Sequence, residues 1–320
     1  MNSLLFVISR NHFQKTPMRC IMIYKMKRLI STILFLLLTS TFCFCLSDFQ
    51  FSVAPRVSLS FGELNEILYG YDDTIISQLD WEQKPFLDIG IKSEITFKNF
   101  LVSASFDYSF PAGTSYMYDS DWDDGKKYSF TTHPLETAKR INTELTLGYK
   151  IETPMKIEVI PEIQFNYIFS DFEAGIGSGI RHERNIRVYG IDYRQHAFLL
   201  FTGLNVKAEV SPKVLLEAAF YTAPWNYQES YDHHHGVKHP FSTQEFQQGS
   251  FSKHKIEIGS NFQINQFFSL GLFTSILFGT TDKGYFYSDY YTTNMELIKT
   301  QKCGSAYHLL KAGSHFTFSL

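Results

Sequence analysis

Cysteine is scarce: four in 320 residues, three of them (Cys20, Cys43 and Cys45) in the first 45. Removal of that stretch leaves Cys303 alone, which excludes an internal disulfide framework. A basic excess is missing too. The formal net charge is −3, whereas a nucleic-acid binder carries a surplus of Lys and Arg. Beyond the first 45 residues there are no helical apolar stripes, no internal repeat and no linker to a second domain. What the chain has in quantity is aromatic residues, 17% of the total with 31 Phe and 19 Tyr, at a mean hydropathy of only −0.14. Rings alternating with polar residues satisfy both numbers, and they point to strands with one apolar face.

Residues 1–45 read as a leader. Met26-Lys27-Arg28 is a short basic segment, Leu29 to Leu38 is an apolar core, and Thr39-Ser40-Thr41 follows. That is a signal peptide in order and length, with translation expected to start at Met26 and cleavage near Cys45. Cys43 and Cys45 lack the usual lead-in of a lipidation site. Residues 46–320 are then one domain.

Within that domain apolar residues recur at every second position. Phe100, Val102, Ala104, Phe106, Tyr108 and Phe110 share one face, and Ser103, Ser105, Asp107 and Ser109 the other. Ile157, Val159, Pro161, Ile163, Phe165, Tyr167 and Phe169 repeat the pattern, as do Leu145, Leu147, Tyr149 and Ile151. Period two over about ten residues, with aromatic outer faces, marks transmembrane strands. The expected fold is therefore all-β: an antiparallel up-and-down transmembrane β-barrel of about ten strands. The strands are placed at 50–68, 79–97, 99–118, 138–152, 155–171, 190–210, 213–228, 250–265, 267–284 and 305–320. Ile151–Pro154 and Ser211-Pro212 are expected as periplasmic turns. Tyr69–Ile76, Asp119–Glu136, Asp171–Val188, Glu229–Gly249 and Lys283–Gln301 are expected as long extracellular loops. The alternating end, Phe316-Thr317-Phe318-Ser319-Leu320, suits a closing strand.

Two polar patches could carry chemistry. Tyr116-Met117-Tyr118-Asp119-Ser120-Asp121-Trp122-Asp123-Asp124 holds four acids in six residues. In extended chain Asp119 and Asp121 share a face, and Trp122 points the other way. Two carboxylates so close resist full ionisation, so one holds a proton or grips a polarised water. A solvated loop tip or a loose calcium site reads the same residues without catalysis. Asp232 and His234 are again two apart. An Asp that orients a His raises its basicity, and the His can then deprotonate water near neutral pH. Against this, His233, His234, His235 and His239 also fit a surface loop or a loose zinc patch. Strand parity from Val214, Leu216, Ala218 and Phe220 would turn Asp232 and His234 outward, so a bulge near Ala223-Pro224 must reset the face. No Ser or Cys nucleophile with a partner is evident, which leaves attack by water.

Taken together, Ser77-Gln78-Leu79-Asp80-Trp81, Asp119-Ser120-Asp121-Trp122, His133-Pro134, Trp225 and Asp232-His233-His234 resemble the omptins in order and spacing. These are ten-stranded outer-membrane proteases of Gram-negative bacteria. The resemblance runs from about residue 50 to the end. It implies an aspartic-type endopeptidase in the cell outer membrane with its active site facing the exterior. Asp232 and His234 would activate the water, and Asp119 and Asp121 would act across the groove. It implies no metal and no other cofactor. Substrates would be proteins or peptides cut near basic residues, received by an acidic pocket. Glu66 looks like one acid of that pocket. The position of the second holds Ser230, and Glu229 is the neighbouring acid that would substitute. The family also depends on lipopolysaccharide, gripped by basic residues on outer strands, but Phe165-Asn166-Tyr167-Ile168-Phe169 carries no cation and the lipid-binding residues are not recognisable. The partners implied are peptide substrate and outer-membrane lipid, with the barrel a monomer. Two other readings use the same fold: an inactive barrel serving as a surface adhesin or receptor, and a passive pore. A ten-stranded lumen is largely filled by side chains, which disfavours the pore.

Overall fold

The computed structural model describes residues 49–236, 240–290 and 294–320. The expected leader, Met26 and the three early cysteines lie outside the described residues, as does His239. The period-two pattern becomes sixteen strand segments: β1 (Phe49–Tyr69), β2 (Ile75–Phe97), β3 (Phe100–Pro111), β4 (Tyr116–Asp123), β5 (Lys126–Tyr149), β6 (Ile151–Glu152), β7 (Ile157–Ala174), β8 (Gly177–Arg181), β9 (Arg184–Val188), β10 (Ile191–Ser211), β11 (Val214–His234), β12 (Phe241–Gly249), β13 (Lys253–Gln263), β14 (Phe268–Thr280), β15 (Gly284–Ser288) and β16 (Glu296–Ser319).

Ten of them close an antiparallel ring, β1–β2–β3–β5–β7–β10–β11–β13–β14–β16 and back to β1. Closure leaves no open edge. The expected ten-stranded barrel is the observed one. A tilted strand of about 9–11 residues crosses a bilayer. β1, β2 and β5, at 21, 23 and 24 residues, overshoot that length. The surplus stands at one end, where β4, β12 and β15 continue the wall and the β8–β9 hairpin is added to β5. We call this the loop end.

Each strand sorts its side chains by parity. Ile89, Ile91, Leu145, Leu147, Ile163, Phe165, Leu216 and Phe220 face outward and are exposed, forming an apolar belt. Inside, Arg56 clamps Asp107 with two bonds of 2.6 Å, and Lys311 adds a third at 2.7 Å. Arg140 pairs with Asp88 at 3.0 Å, and Lys255 with Glu144 at 2.7 Å. Buried charges need such partners. Toward the loop end the interior turns aromatic. Trp81 stacks on Tyr193 with centroids 5.0 Å apart and lies 5.7 Å from Phe172, which meets Phe86 edge-on. Leu64, Met117, Leu199 and Phe201 are buried in the same cluster. The lumen is filled.

The turns at the opposite end fall where expected. Of the expected loops, Tyr69–Ile76 also holds, joining β1 to β2, while the others contain strand. Asp119–Glu136 is mostly strand: β4 runs to Asp123, β5 starts at Lys126, and Asp124-Gly125 turns between them with φ of 46° and 71°. Positive φ at both central residues is the demand of a type I′ hairpin. Within Asp171–Val188 lie the end of β7 and the β8–β9 hairpin, turned at His182-Glu183 with φ of 46° and 63°. Glu229–Gly249 holds the end of β11 and all of β12. Beyond the membrane the outer face mixes polar side chains with rings such as Phe130 and Tyr231. The apolar alternation fades there while the ladder continues.

Candidate active site

A bulge in β11 sets half of the site. Leu200 of β10 faces Trp225, but Thr202 faces Thr222, so Ala223 and Pro224 both stand opposite Phe201. Below the bulge Leu216 and Phe220 point outward; above it Asn226, Gln228, Ser230 and Asp232 are buried inward and Trp225 is exposed. The one-residue offset is what carries Asp232 into the barrel mouth.

The other half comes from β4. Asp119 lies opposite Leu79 and Thr131, and Asp121 opposite Ser77 and Ser129. A register shift between Asp121 and Trp122 brings the indole into the same cavity, correcting the expectation that it points away. That cavity, about 800 Å³, is lined by Glu66, Asp119, Asp121, Trp122, Asp232, His234 and Glu245, with Arg181 and Arg187 from the β8–β9 hairpin. It opens above the Trp81 cluster, so the expected residues of both patches meet in one place.

Their protonation differs. Burial first, and then the charge of Asp121, raises the Asp119 carboxyl to about 7. Arg181, 3.8 Å from Asp121, opposes that rise. Asp119 therefore holds its proton about half the time at neutrality. Asp232 accepts from Thr243 Oγ1 at 2.9 Å through Oδ2, and its carboxyl is also within hydrogen-bonding reach of the Glu66 carboxyl. The Asp232 carboxyl is thus bonded to Thr243 rather than to His234. The His234 ring stacks on Phe241 at 4.1 Å. Burial, followed by the neighbouring histidines, lowers its pKa to about 3, so it is neutral. His233 bonds Ser242 at 3.0 Å and His235 bonds Asp192 at 2.9 Å. The histidines thus go to separate partners, and no group of three or more His, Cys, Asp or Glu among the described residues is placed to hold a metal.

Glu66 is buried in the cavity wall. Ser230 is buried and donates to Glu245 Oε2 at 3.1 Å. Glu229 falls on the outer face by parity, where Gln244 donates to it at 3.0 Å, so it is turned away from Glu66. The acid that faces the cavity beside Ser230 is Glu245, its ladder partner on β12. Sequence reading missed Glu245 and Arg181 because both sat in expected loops. For Glu245 the alternation in Phe241–Gln248 was the available signal of strand. His133 is structural: its ring bonds Thr131 and the Gly175 carbonyl, each at 2.9 Å. A Cβ on Gly177 would collide with that ring, so glycine lets β8 lie close against it and bring Arg181 beside Asp121.

Fold and site together define an integral β-barrel of outer-membrane type with acids and a neutral histidine around one open mouth. A family model described as the Omptin family matches residues 48–318, and the chain belongs to that family. It is an outer-membrane β-barrel protein. Among solved structures, the outer membrane protease OmpT from Escherichia coli aligns with a TM-score of 0.75 over 85% of this chain and 97% of that one, at 13% identity. OprG from Pseudomonas aeruginosa aligns with a TM-score of 0.33 over 85% of this chain and 95% of that one, at 9% identity. No curated protein matches by sequence.

Proposed function

We propose that this protein is an outer-membrane endopeptidase whose cavity faces the exterior and whose nucleophile is water. The carrying observation is that Asp119 and Asp121 from β4 and Asp232 and His234 from β11 line one cavity with a packed floor. A peptide lies across the mouth between the two walls. Neutral His234 takes a proton from the water as its oxygen attacks the scissile carbonyl. Protonated Asp119 donates a hydrogen bond to the developing oxyanion, and Asp121 remains the charge that keeps that proton in place. The imidazolium formed is balanced by the Asp232 carboxylate, to which protonated Glu66 and Thr243 donate, and its proton leaves with the amine product. Displacing water from the cavity strengthens each of these interactions. OmpT is an outer membrane protease, and the shared fold agrees with this reading.

Lipid dependence belongs to the same proposal. On the outer face Lys139 lies 2.8 Å from Asp171, and Arg194 lies 3.7 Å from it, across three adjacent strands just above Phe165, Tyr167 and Phe169. Two cations above an aromatic band would meet lipid phosphates. The barrel works as a monomer.

The test is to refold residues 46–320 in micelles and offer quenched peptides with Arg-Arg, Lys-Lys and Ala-Arg centres, with and without lipopolysaccharide. Cleavage beside the basic residue is expected, and Asp232→Ala should abolish it. A folded barrel that cuts none of them under either condition would overturn the reading in favour of a surface adhesin or receptor.

A further inference from the structure

In this barrel, buried acids are generally matched. Asp107 has Arg56 and Lys311, Asp88 has Arg140, and Glu144 has Lys255. Glu162, which lacks a cation, is hydrogen-bonded by Tyr221 and Asn205. Glu66, Asp232 and Glu245 break the pattern. They are 7%, 2% and 1% exposed, and no cation is paired with them among the described residues. One oxygen of each, Glu66 Oε2, Asp232 Oδ1 and Glu245 Oε1, is buried with no partner outside the trio among the described residues, and within the trio the Glu66 carboxyl reaches both Asp232 and Glu245. All three carboxyls line the mouth cavity.

Ser230 Oγ at 3.1 Å and Gln247 Nε2 at 2.7 Å both donate to Glu245 Oε2, which fixes the carboxyl, and its remaining hydrogen-bond contact is with the Glu66 carboxyl. Ser230 and Glu245 are direct cross-strand partners. An acid absent at position 230 is thus supplied from the next strand, one ladder rung away.

We infer that Glu245 is the second acid of the substrate pocket, pairing with Glu66 to receive the cationic side chain that precedes the cut bond. Three buried carboxyls that reach one another and line one cavity can receive a Lys ammonium, which carries three N–H donors on a stem that the cavity can take. Burial and mutual repulsion keep protons on Glu66 and Glu245 while the cavity is empty, and a bound cation makes it favourable to release them. The assignment rests on the peptidase reading for its place in the reaction, but not for the binding of the cation.

Two measurements separate these. The first titrates the folded barrel with n-butylamine, with n-butanol as control, and reads the thermal unfolding midpoint. The amine should give a saturable rise in the wild type and none in Glu245→Gln or Glu66→Gln, and Ser230→Asp placed in the Glu245→Gln background should restore it. The second compares kcat/KM for a peptide with Lys before the cut and its norleucine counterpart. Glu245→Gln should lower the Lys value at least about 30-fold, as loss of one member of a buried charge pair does, and leave the norleucine value within about threefold. An amine response equal in wild type and Glu245→Gln, or absent from both, overturns the inference. So does an equal loss on both peptides. If the wild type cuts neither peptide, the peptidase reading fails and the amine titration alone decides whether the cation pocket stands.

Discussion

Asp119 carries a pKa near 7 because it is buried beside Asp121, and that makes it a switch at working pH. Its raised value means that the protonated form is the one the folded protein favours. As pH rises through about 7 the proton is lost, and with it the donor to the oxyanion. His234, lowered to about 3, is already neutral throughout that range and contributes no limb there. Cleavage is therefore expected to fall as pH rises above about 7. Asp119→Asn, which keeps a donor without titrating, should flatten that fall. A profile for the Asn variant that still drops at the same pH would remove Asp119 from the role. At this scale the sequence was informative: spacing of two placed Asp119 with Asp121 and Asp232 with His234. It could not show that Asp232 bonds Thr243, nor that Glu245 rather than Glu229 faces the cavity. Those facts depend on which strand is the neighbour.

Among the elements, β11 is decisive, because one extra residue at Ala223-Pro224 chooses which face its outer half presents. The need for that bulge was legible from the conflict between Phe220 and Trp225 in parity. Deleting Ala223 would restore plain alternation and send Asp232 toward the outer face. The expected outcome is a barrel with little or no peptidase activity, its circular dichroism still that of a β-sheet. Full activity in the deletion would show that the bulge does not set the site. The membrane halves of the strands were legible to within a few residues, since lipid enforces an apolar outer face. The outer halves were less so, because water outside the membrane lets polar residues replace the apolar outer face while hydrogen bonding goes on unchanged. The Asp124-Gly125 turn was the local sign that β4 and β5 form a hairpin.

For the whole molecule, the filled lumen separates this barrel from a pore. The aromatic cluster about Trp81 and the ion pairs nearer the opposite end leave no continuous channel to expect, so planar-bilayer recordings should show no steady conductance. Steady conductance would contradict the packed interior. Trp81→Ala removes the centre of the stack and should cost roughly 3–5 kcal/mol in urea unfolding from micelles, as large aromatic truncations in cores do. A loss under about 1 kcal/mol would mean that the cluster packs loosely. On the outer surface, Lys139→Ala combined with Arg194→Ala should reduce stimulation by lipopolysaccharide several-fold while leaving the fold intact. Unchanged stimulation would place the lipid elsewhere.

The central claim is that two walls of the barrel make one catalytic site. The direct measurement is kcat for wild type, Asp119→Ala, Asp232→Ala and the double variant on one Lys-containing peptide, with folding checked by heat-modified mobility. Groups that act as a unit lose nearly everything with the first removal. The double variant should therefore be no slower than the worse single variant by more than about threefold. Two single losses that multiply in the double variant would show that the walls act independently, and the shared site would then be wrong.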